Sequence, residues 1–295
     1  MMVMVIRGKH KIYFAYDMCL KDYSRIKMFL CKKAIVALLV STFLALWIIL
    51  IYNKQDSERN FAIIPHFMLD SGKVDWFYSF IKNEYYNWWE PWRILLISPN
   101  HFHTHTKRIQ TICESSNVNY KSTYINLSSK LNDLWIKCDK NWEIFSNWWG
   151  NLQTNEHGIW EHFQWINKYF PNSEILPIIS PCFQISTIED VLPILENLDW
   201  DILAIASVDF AHYQDEEQTL QHDEKSIETL KSMTLNQSEF IDWIDADCPV
   251  CLYLLQNLAN KEWKKADLRY RDSSSTILNQ NMWEENTSRI FMWYK

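Results

Sequence analysis

The chain has 295 residues, a formal net charge of −7 and a hydrophobic content of 48%, which includes 16 Trp, 14 Tyr and 15 Phe. This apolar content is sufficient for a well-buried domain and argues against a disordered chain. A negative net charge attracts phosphate backbones poorly, so we expect no nucleic-acid partner. The 4 glycines are scattered, which excludes a Walker A loop and a dinucleotide-binding glycine fingerprint.

An apolar run near the N-terminus, AIVALLVSTFLALWIILIY, covers residues 34–52 without a charge. A helix of this length would cross a hydrocarbon core of about 30 Å. Lys and Arg residues are frequent before the run, which favours a cytoplasmic N-terminus and an uncleaved anchor over a secretory signal. The sequence therefore predicts a basic leader over residues 1–33, one transmembrane helix over residues 34–52 and a linker over residues 53–60. We expect a single-pass membrane protein with an extracytoplasmic C-terminal domain.

From residue 61 onwards, short apolar runs alternate with longer mixed segments, a pattern typical of an α/β domain. Helices are predicted over Val74–Trp89 and Glu216–Met233. The runs predict strands over Phe61–Pro65, Arg93–Ser98, Tyr120–Ile125, Ile175–Ile179, Ile202–Ser207, Asp267–Arg271 and Ser288–Trp293. We expect residues 61–295 to form a single α/β domain.

Histidines follow three of the predicted strands, where open α/β sheets place their ligand sites. They are His66, His101 and His212, and a further pair, His157 and His162, lies in the sequence EHGIWEHF. Imidazoles from separate strand ends can bind a divalent metal when a carboxylate or thiolate completes the set. A mononuclear metal site is therefore our leading interpretation, although each histidine taken singly is more typical of a hydrogen-bonded structural residue. Three other histidines, His10, His103 and His105, are not assigned to it.

Several short motifs resemble those of the Memo family, which includes AmmeMemoRadiSam system protein B, in both order and spacing. They are Ile64-Pro-His66, Ser98-Pro-Asn-His101, Glu156-His157-Gly-Ile, Leu176-Pro-Ile and Ser207-Val-Asp209-Phe-Ala-His212-Tyr213. The resemblance covers residues 61–295. It implies a fold similar to that of the class III extradiol dioxygenases, which use non-haem iron(II).

The resemblance also implies roles for individual residues. His66 and His101 would be metal ligands, and His212 matches a position that looks like the acid/base histidine of the dioxygenases. A neutral imidazole can accept a proton near pH 7, as such a position requires. The other residues that the resemblance places at the site are His157, His162 and Asp209.

The third metal ligand is open, because the chain departs from the family's Cys-Gly sequence at Asp245-Ala-Asp-Cys248-Pro249. Alignment on the cysteine selects Cys248, whereas alignment on the proline selects Asp245. A carboxylate would suit iron(II), the metal that we expect, whereas a thiolate would favour copper or zinc. A separate hypothesis treats Cys248 and Cys251 as a redox dithiol at a helix N-terminus.

Two functions are consistent with these residues. The first is a metal-dependent oxidoreductase of dioxygenase type that acts on a small-molecule substrate. The alternative is a non-catalytic metal-binding protein or a partner subunit. The resemblance implies a radical SAM protein and an AMMECR-type protein as partners.

Overall fold

The computed structural model describes residues 35–44, 59–101, 110–112, 137–139, 156–182, 186–198, 201–233, 236–280, 282 and 286–295. The chain divides into two compact units, Met1–Asp56 and Ser57–Lys295. Several predictions lie outside the described residues: the basic leader, most of the linker, the strand Tyr120–Ile125, and His10, His103 and His105.

The apolar N-terminal run contains a helix, α1, over residues 35–44, and the rest of the run lies outside the described residues. Within the described part of the chain, no helix combines the length and the apolar character needed to cross a bilayer. This finding contradicts the predicted transmembrane helix and the predicted single-pass membrane localisation.

The described residues of the second unit form eight strands: β1 Asn60–Ile63, β2 Arg93–Pro99, β3 Gln110–Ile112, β4 Lys137–Asp139, β5 Glu174–Ser180, β6 Ile202–Ala206, β7 Ala266–Ser273 and β8 Ser288–Tyr294. These strands form one mixed sheet in the spatial order β4-β3-β5-β2-β6-β1-β8-β7. Strands β1, β6, β2 and β5 pair in parallel, whereas β8 is antiparallel to β1 and β7, and β3 is antiparallel to β5. The predicted α/β fold is confirmed.

Helices cover both faces of this sheet. Successive residues of a strand point to opposite faces, so Phe61 and Ile63 belong to one buried cluster and Ala62 and Ile64 to the other. Helices α2 (Ser71–Tyr85) and α3 (His157–Tyr169) pack in the cluster of Ala62. The cluster of Phe61 includes residues of α4 (Ser186–Glu196), α5 (Glu216–Lys231), α6 (Gln237–Trp243) and α7 (Pro249–Lys261), and a short helix, α8 (Ser274–Leu278), follows β7. The domain is therefore a three-layer sandwich with the sheet in the middle.

Candidate metal centre

The parallel strands β1, β2 and β6 bring three segments together where they end. His66 follows β1, His101 follows β2, and Ser207 and Asp209 follow β6. Parallel neighbours point their carboxyl ends in the same direction, and for this reason open α/β sheets form ligand sites there. The sequence pattern of histidines after strands thus becomes a cluster in space.

His66 is buried and lies between carboxylates. Its Nε2 is 3.2 Å from Asp209 Oδ2 and 3.1 Å from Asp247 Oδ2, and its backbone N–H donates to Asp209 Oδ1 at 3.1 Å. On the opposite side of the ring, Nδ1 is 3.2 Å from Ser207 Oγ. Burial would lower the pKa of His66, but the negative charges of Asp209 and Asp247 outweigh it and raise the pKa to about 9.

His101 contacts a third carboxylate, that of Glu156. Its Nδ1 is 2.6 Å from Glu156 Oε1, and its backbone N–H donates to Glu156 Oε2 at 3.0 Å. Burial acts to lower the pKa of His101, but hydrogen bonds to Asp247 and Glu156 raise it to about 10. In metal-binding histidines, a carboxylate that contacts one ring nitrogen orients the ring so that the other nitrogen faces the metal.

Asp247 joins the two histidines. Its Oδ2 lies 3.1 Å from His66 Nε2 and 3.3 Å from His101 Nε2, and its side chain is only 12% exposed. Burial acts to raise the pKa of Asp247, but His66 and His101 hold it below its ordinary value. The other oxygen, Oδ1, is buried and receives no hydrogen bond from the described residues.

The loop that carries Asp247 is fixed by backbone contacts to the segment after β6. The N–H of Asp247 donates to the carbonyl of Asp209 at 3.0 Å, and Phe210 and Ala246 form an isolated β-bridge. Sequence reasoning missed Asp247 because it is one of several acidic residues in this loop. Its signal was its position directly before Cys248, at the place where the family's ligand was expected.

His157 begins α3 and stacks on His101, with ring centroids 4.1 Å apart and 28° between the ring planes. Its centroid lies 4.8 Å from that of His66. Burial, together with the positive charges of His66 and His101, lowers the pKa of His157 to about 4. His157 is therefore neutral near pH 7 and offers a lone pair to the site.

Gly158 allows the first turn of α3 to approach the strand ends this closely. A Cβ at this position would overlap with Ser98 Oγ and would lie 3.1 Å from Ser207 Oγ and 3.3 Å from His66 Nδ1. Glu156, two residues earlier, caps α3 by accepting a hydrogen bond from the Gly158 N–H at 3.2 Å. One carboxylate thus holds both the helix start and His101.

His162 lies behind Ser207, on the buried face of α3. Its Nε2 is 3.0 Å from Ser207 Oγ, and its Nδ1 is 2.9 Å from the hydroxyl of Tyr78. Burial, with a smaller effect of the charge on His66, lowers the pKa of His162 to about 3. No sequence pattern indicates a functional role for Tyr78, which lies in the middle of α2.

Two sets of potential metal-binding atoms, each within 4.8 Å of one another, occur among the described residues. One set is His66, His101 and His157, and the other is His66, Asp209 and Asp247. Three carboxylates, those of Glu156, Asp209 and Asp247, surround these histidines. Their negative charge favours a cation at this place.

The two predicted candidates for the third ligand are engaged elsewhere. Cys248 forms a disulfide with Cys182, and a disulfide sulfur carries no thiolate for a metal. The predicted dithiol of Cys248 and Cys251 is therefore not formed by two free thiols: Cys251 is buried outside the disulfide, with its Sγ 2.9 Å from Cys248 Sγ. Asp245 Oδ2 is 2.5 Å from His222 Nδ1 and belongs to neither set of donors.

His212, the predicted acid/base residue, also lies outside both sets. It forms an isolated β-bridge with Thr287 and is followed by Tyr213 in the left-handed region, with a φ of 59°. Burial raises the pKa of Asp209, the carboxylate that contacts His66, and the imidazoles of His66 and His212 oppose this rise.

The fold and the cluster together define a class: an α/β protein with a candidate metal centre at the carboxyl ends of its parallel strands. The model of the Memo-like protein family matches residues 39–277, so the chain belongs to this family and the predicted membership is confirmed. No curated protein matches the chain. The uncharacterized protein JW3007 from Escherichia coli K12 has a similar fold, with a TM-score of 0.51 at 10% identity over 80% of this chain and 99% of that one.

Proposed function

We propose that the domain binds one divalent metal ion through His66 Nε2, His101 Nε2 and Asp247. The observation that carries this proposal is the position of Asp247 Oδ2 at 3.1 Å and 3.3 Å from the two imidazole nitrogens. With metal–ligand bonds of about 2.1 Å, neighbouring ligand atoms are about 3.0 Å apart in an octahedral site and about 3.4 Å apart in a tetrahedral one. Asp247 Oδ2 thus lies at a distance from each imidazole nitrogen that suits neighbouring ligands of one ion.

The surroundings support a cation at this position. Asp247 Oδ1 is a buried acceptor to which no described residue donates, and buried polar atoms normally have a partner. Glu156 contacts His101 Nδ1 and Ser207 contacts His66 Nδ1, so in both histidines Nε2 is the nitrogen directed towards Asp247. In both rings, the contact at Nδ1 orients Nε2 towards Asp247.

Two histidines and one carboxylate form the facial triad of non-haem iron(II) oxygenases, so iron(II) is the proposed metal and the proposed reaction class is a dioxygenase-type oxidation of a small molecule. When bound, iron(II) would supply the redox-active centre for oxygen chemistry. The proposed proton acceptor for a substrate is His157, whose ring stacks on that of His101, in place of His212, for which the resemblance implied this role. The radical SAM and AMMECR-type partners stay predictions.

The metal is tested with the full chain, loaded anaerobically with iron(II) or with zinc and then assayed by elemental analysis. We expect about one equivalent in the wild type and its loss in His66→Ala, His101→Ala and Asp247→Ala. The matched controls are His222→Ala and Asp245→Ala, which break a second His–Asp contact outside the cluster. Retention of metal by Asp247→Ala, or a wild type that takes up no metal, would contradict the proposal.

The reaction class is tested separately by oxygen uptake. The iron(II)-loaded protein is mixed with a catechol as a probe of dioxygenase activity, and Asp247→Ala is the control. Uptake by the wild type alone is the expected result. Full metal loading without uptake for any catechol tested would instead identify a non-catalytic metal-binding protein.

A further inference from the structure

A chain of three hydrogen bonds runs from His66 into the core, away from the other ligands. His66 Nδ1 is 3.2 Å from Ser207 Oγ, Ser207 Oγ is 3.0 Å from His162 Nε2, and His162 Nδ1 is 2.9 Å from the hydroxyl of Tyr78. All four side chains are buried. Solvent does not reach these groups, so which atom donates in each hydrogen bond depends on the neighbouring hydrogen bonds of the series.

The direction of the chain is coupled to metal binding. A neutral histidine that coordinates through Nε2 carries its proton on Nδ1, so Ser207 Oγ must accept from His66. The single hydroxyl proton of Ser207 is then available to His162 Nε2. His162, which is neutral because burial lowers its pKa to about 3, must then carry its own proton on Nδ1 and donate it to the Tyr78 oxygen.

We propose that Tyr78 is a positioning residue of the metal centre, acting through His162 and Ser207 to keep the proton of His66 on Nδ1 and the Nε2 lone pair available to the metal. This inference rests on the proposed metal-binding function. Without the Tyr78 oxygen, the Nδ1 proton of His162 loses its acceptor. The reversed order of hydrogen bonds is then favoured, in which His162 Nε2–H donates to Ser207 and Ser207 donates to His66 Nδ1. In this order a neutral His66 carries its proton on Nε2, where the proton blocks coordination.

The experiment compares Tyr78→Phe with Tyr169→Phe in the full chain. The ring of Tyr169 stacks on that of Tyr78 at 5° between planes, but its hydroxyl donates to Asp75 Oδ1 at 2.8 Å and so lies outside the chain of bonds. Zinc affinity is measured by titration against a competing chelator. Changes in the outer partners of a ligand cost about 10- to 100-fold in metal affinity, so we expect a loss of about 10-fold in Tyr78→Phe and a change of less than about twofold in Tyr169→Phe.

The ring nitrogen of His162 that carries the proton is a second readout. A purely structural effect of the substitution would not change which nitrogen this is. Nitrogen-15 NMR of the zinc-loaded protein should show this proton on Nδ1 in the wild type and in Tyr169→Phe, and on Nε2 in Tyr78→Phe. A wild type with the proton on Nε2 would overturn the inference without any variant.

The outcomes for the two proposals are distinct. A wild type that binds no zinc defeats the metal-binding proposal, and the inference falls with it. A wild type that binds zinc while Tyr78→Phe keeps its affinity, or loses affinity with His162 unchanged, defeats the inference alone.

Discussion

Buried charges lie both at the carboxyl ends of the parallel strands and at the antiparallel pair β7–β8. In the antiparallel region the cation is arginine. Arg289 Nε is 2.7 Å from Asp272 Oδ1 and its Nη2 is 2.5 Å from Oδ2, and Arg271 pairs with Asp223 at 2.7 Å and with Glu216 at 2.8 Å. At the ends of the parallel strands the cations are histidines that contact Asp209, Asp247 and Glu156.

The residue type of the cation, arginine or histidine, distinguishes a structural ion pair from a candidate metal site. Arginine keeps its proton at any ordinary pH, so its carboxylate partners remain permanently paired and serve the fold. Histidine can release its proton, after which both the imidazole and the carboxylate can bind a metal. Similar burial therefore produces a fixed ion pair in one region and an exchangeable site in the other.

The largest expected effect is the loss of a permanent pair. Arg289→Met leaves Asp272 as a buried charge without its main partner and removes the hydrogen bond from Nη1 to the Asp70 carbonyl at 2.9 Å. Breaking a buried pair costs about 3–5 kcal/mol, so we expect a loss of this size in the free energy of unfolding, measured with urea. The double variant Arg289→Met, Asp272→Leu should recover a large part of it. A single-variant loss below about 1 kcal/mol would contradict the role given to Arg289.

The second effect is a pH dependence confined to the histidine region. The pKa of His66 is raised from 6.5 to about 9, so the stabilisation by its charge is complete below pH 6.5 and is lost as the pH rises through 9. In the metal-free protein we expect His66 to contribute a loss of roughly 3 kcal/mol of unfolding free energy between pH 6.5 and 10. Urea unfolding at several pH values measures the total slope. His66→Gln should reduce this slope, and His101, whose pKa is raised to about 10, should keep part of it. The same slope in that variant would show that other groups cause it.

The smallest expected effect on stability is that of filling the space at Gly158, beside the candidate metal centre. Gly158→Ala forces Ser98, Ser207 or His66 to move, and overpacking of this kind costs about 1–3 kcal/mol. We also expect weaker zinc binding, because His66 and Ser207 are among the displaced groups. Gly72→Ala is the control, since its new Cβ would meet only the Asp70 side chain, at 3.1 Å, near an exposed helix start. Equal stability and zinc affinity in the two variants would show that Gly158 is replaceable.

The strands β1, β2, β5, β6, β7 and β8 were predictable from the sequence because their apolar runs are short and bounded, whereas the three-residue strands β3 and β4 were not predicted. Strands β2 and β6 begin at the predicted residues Arg93 and Ile202. Helix bounds were less accurate: α2 begins at Ser71 because Asp70 accepts a hydrogen bond from Gly72 N–H, and it ends before the predicted Trp89. The aromatic residues after Tyr85 extended the apparent helical pattern, yet Trp88 is 90% exposed.

Strand ends made part of the candidate site predictable from the sequence, and the family resemblance added His157 and His162. His66 and His101 follow parallel strands, so topology alone brings them together. Asp247 reaches them through a loop whose position depends on a bond to the Asp209 backbone, a contact that no local pattern reveals. Glu156 had a local signal, since an acidic residue before a helix start is a candidate cap, but its second contact, with His101, depends on tertiary packing.

The pairing of β1 has a consequence for how the protein folds. Ala62 in this strand is registered with Ile205 on one side and with Trp293 on the other. The strand that delivers His66 is therefore completed by segments far along the chain, and contacts of such wide sequence separation form slowly because a long loop must close first. On the ribosome, β1 and the segment after it would wait for β6 and then for β8. Assembly of the histidine cluster should accordingly be a late event, and chains interrupted before β8 would expose an unpaired edge of β1 to other molecules.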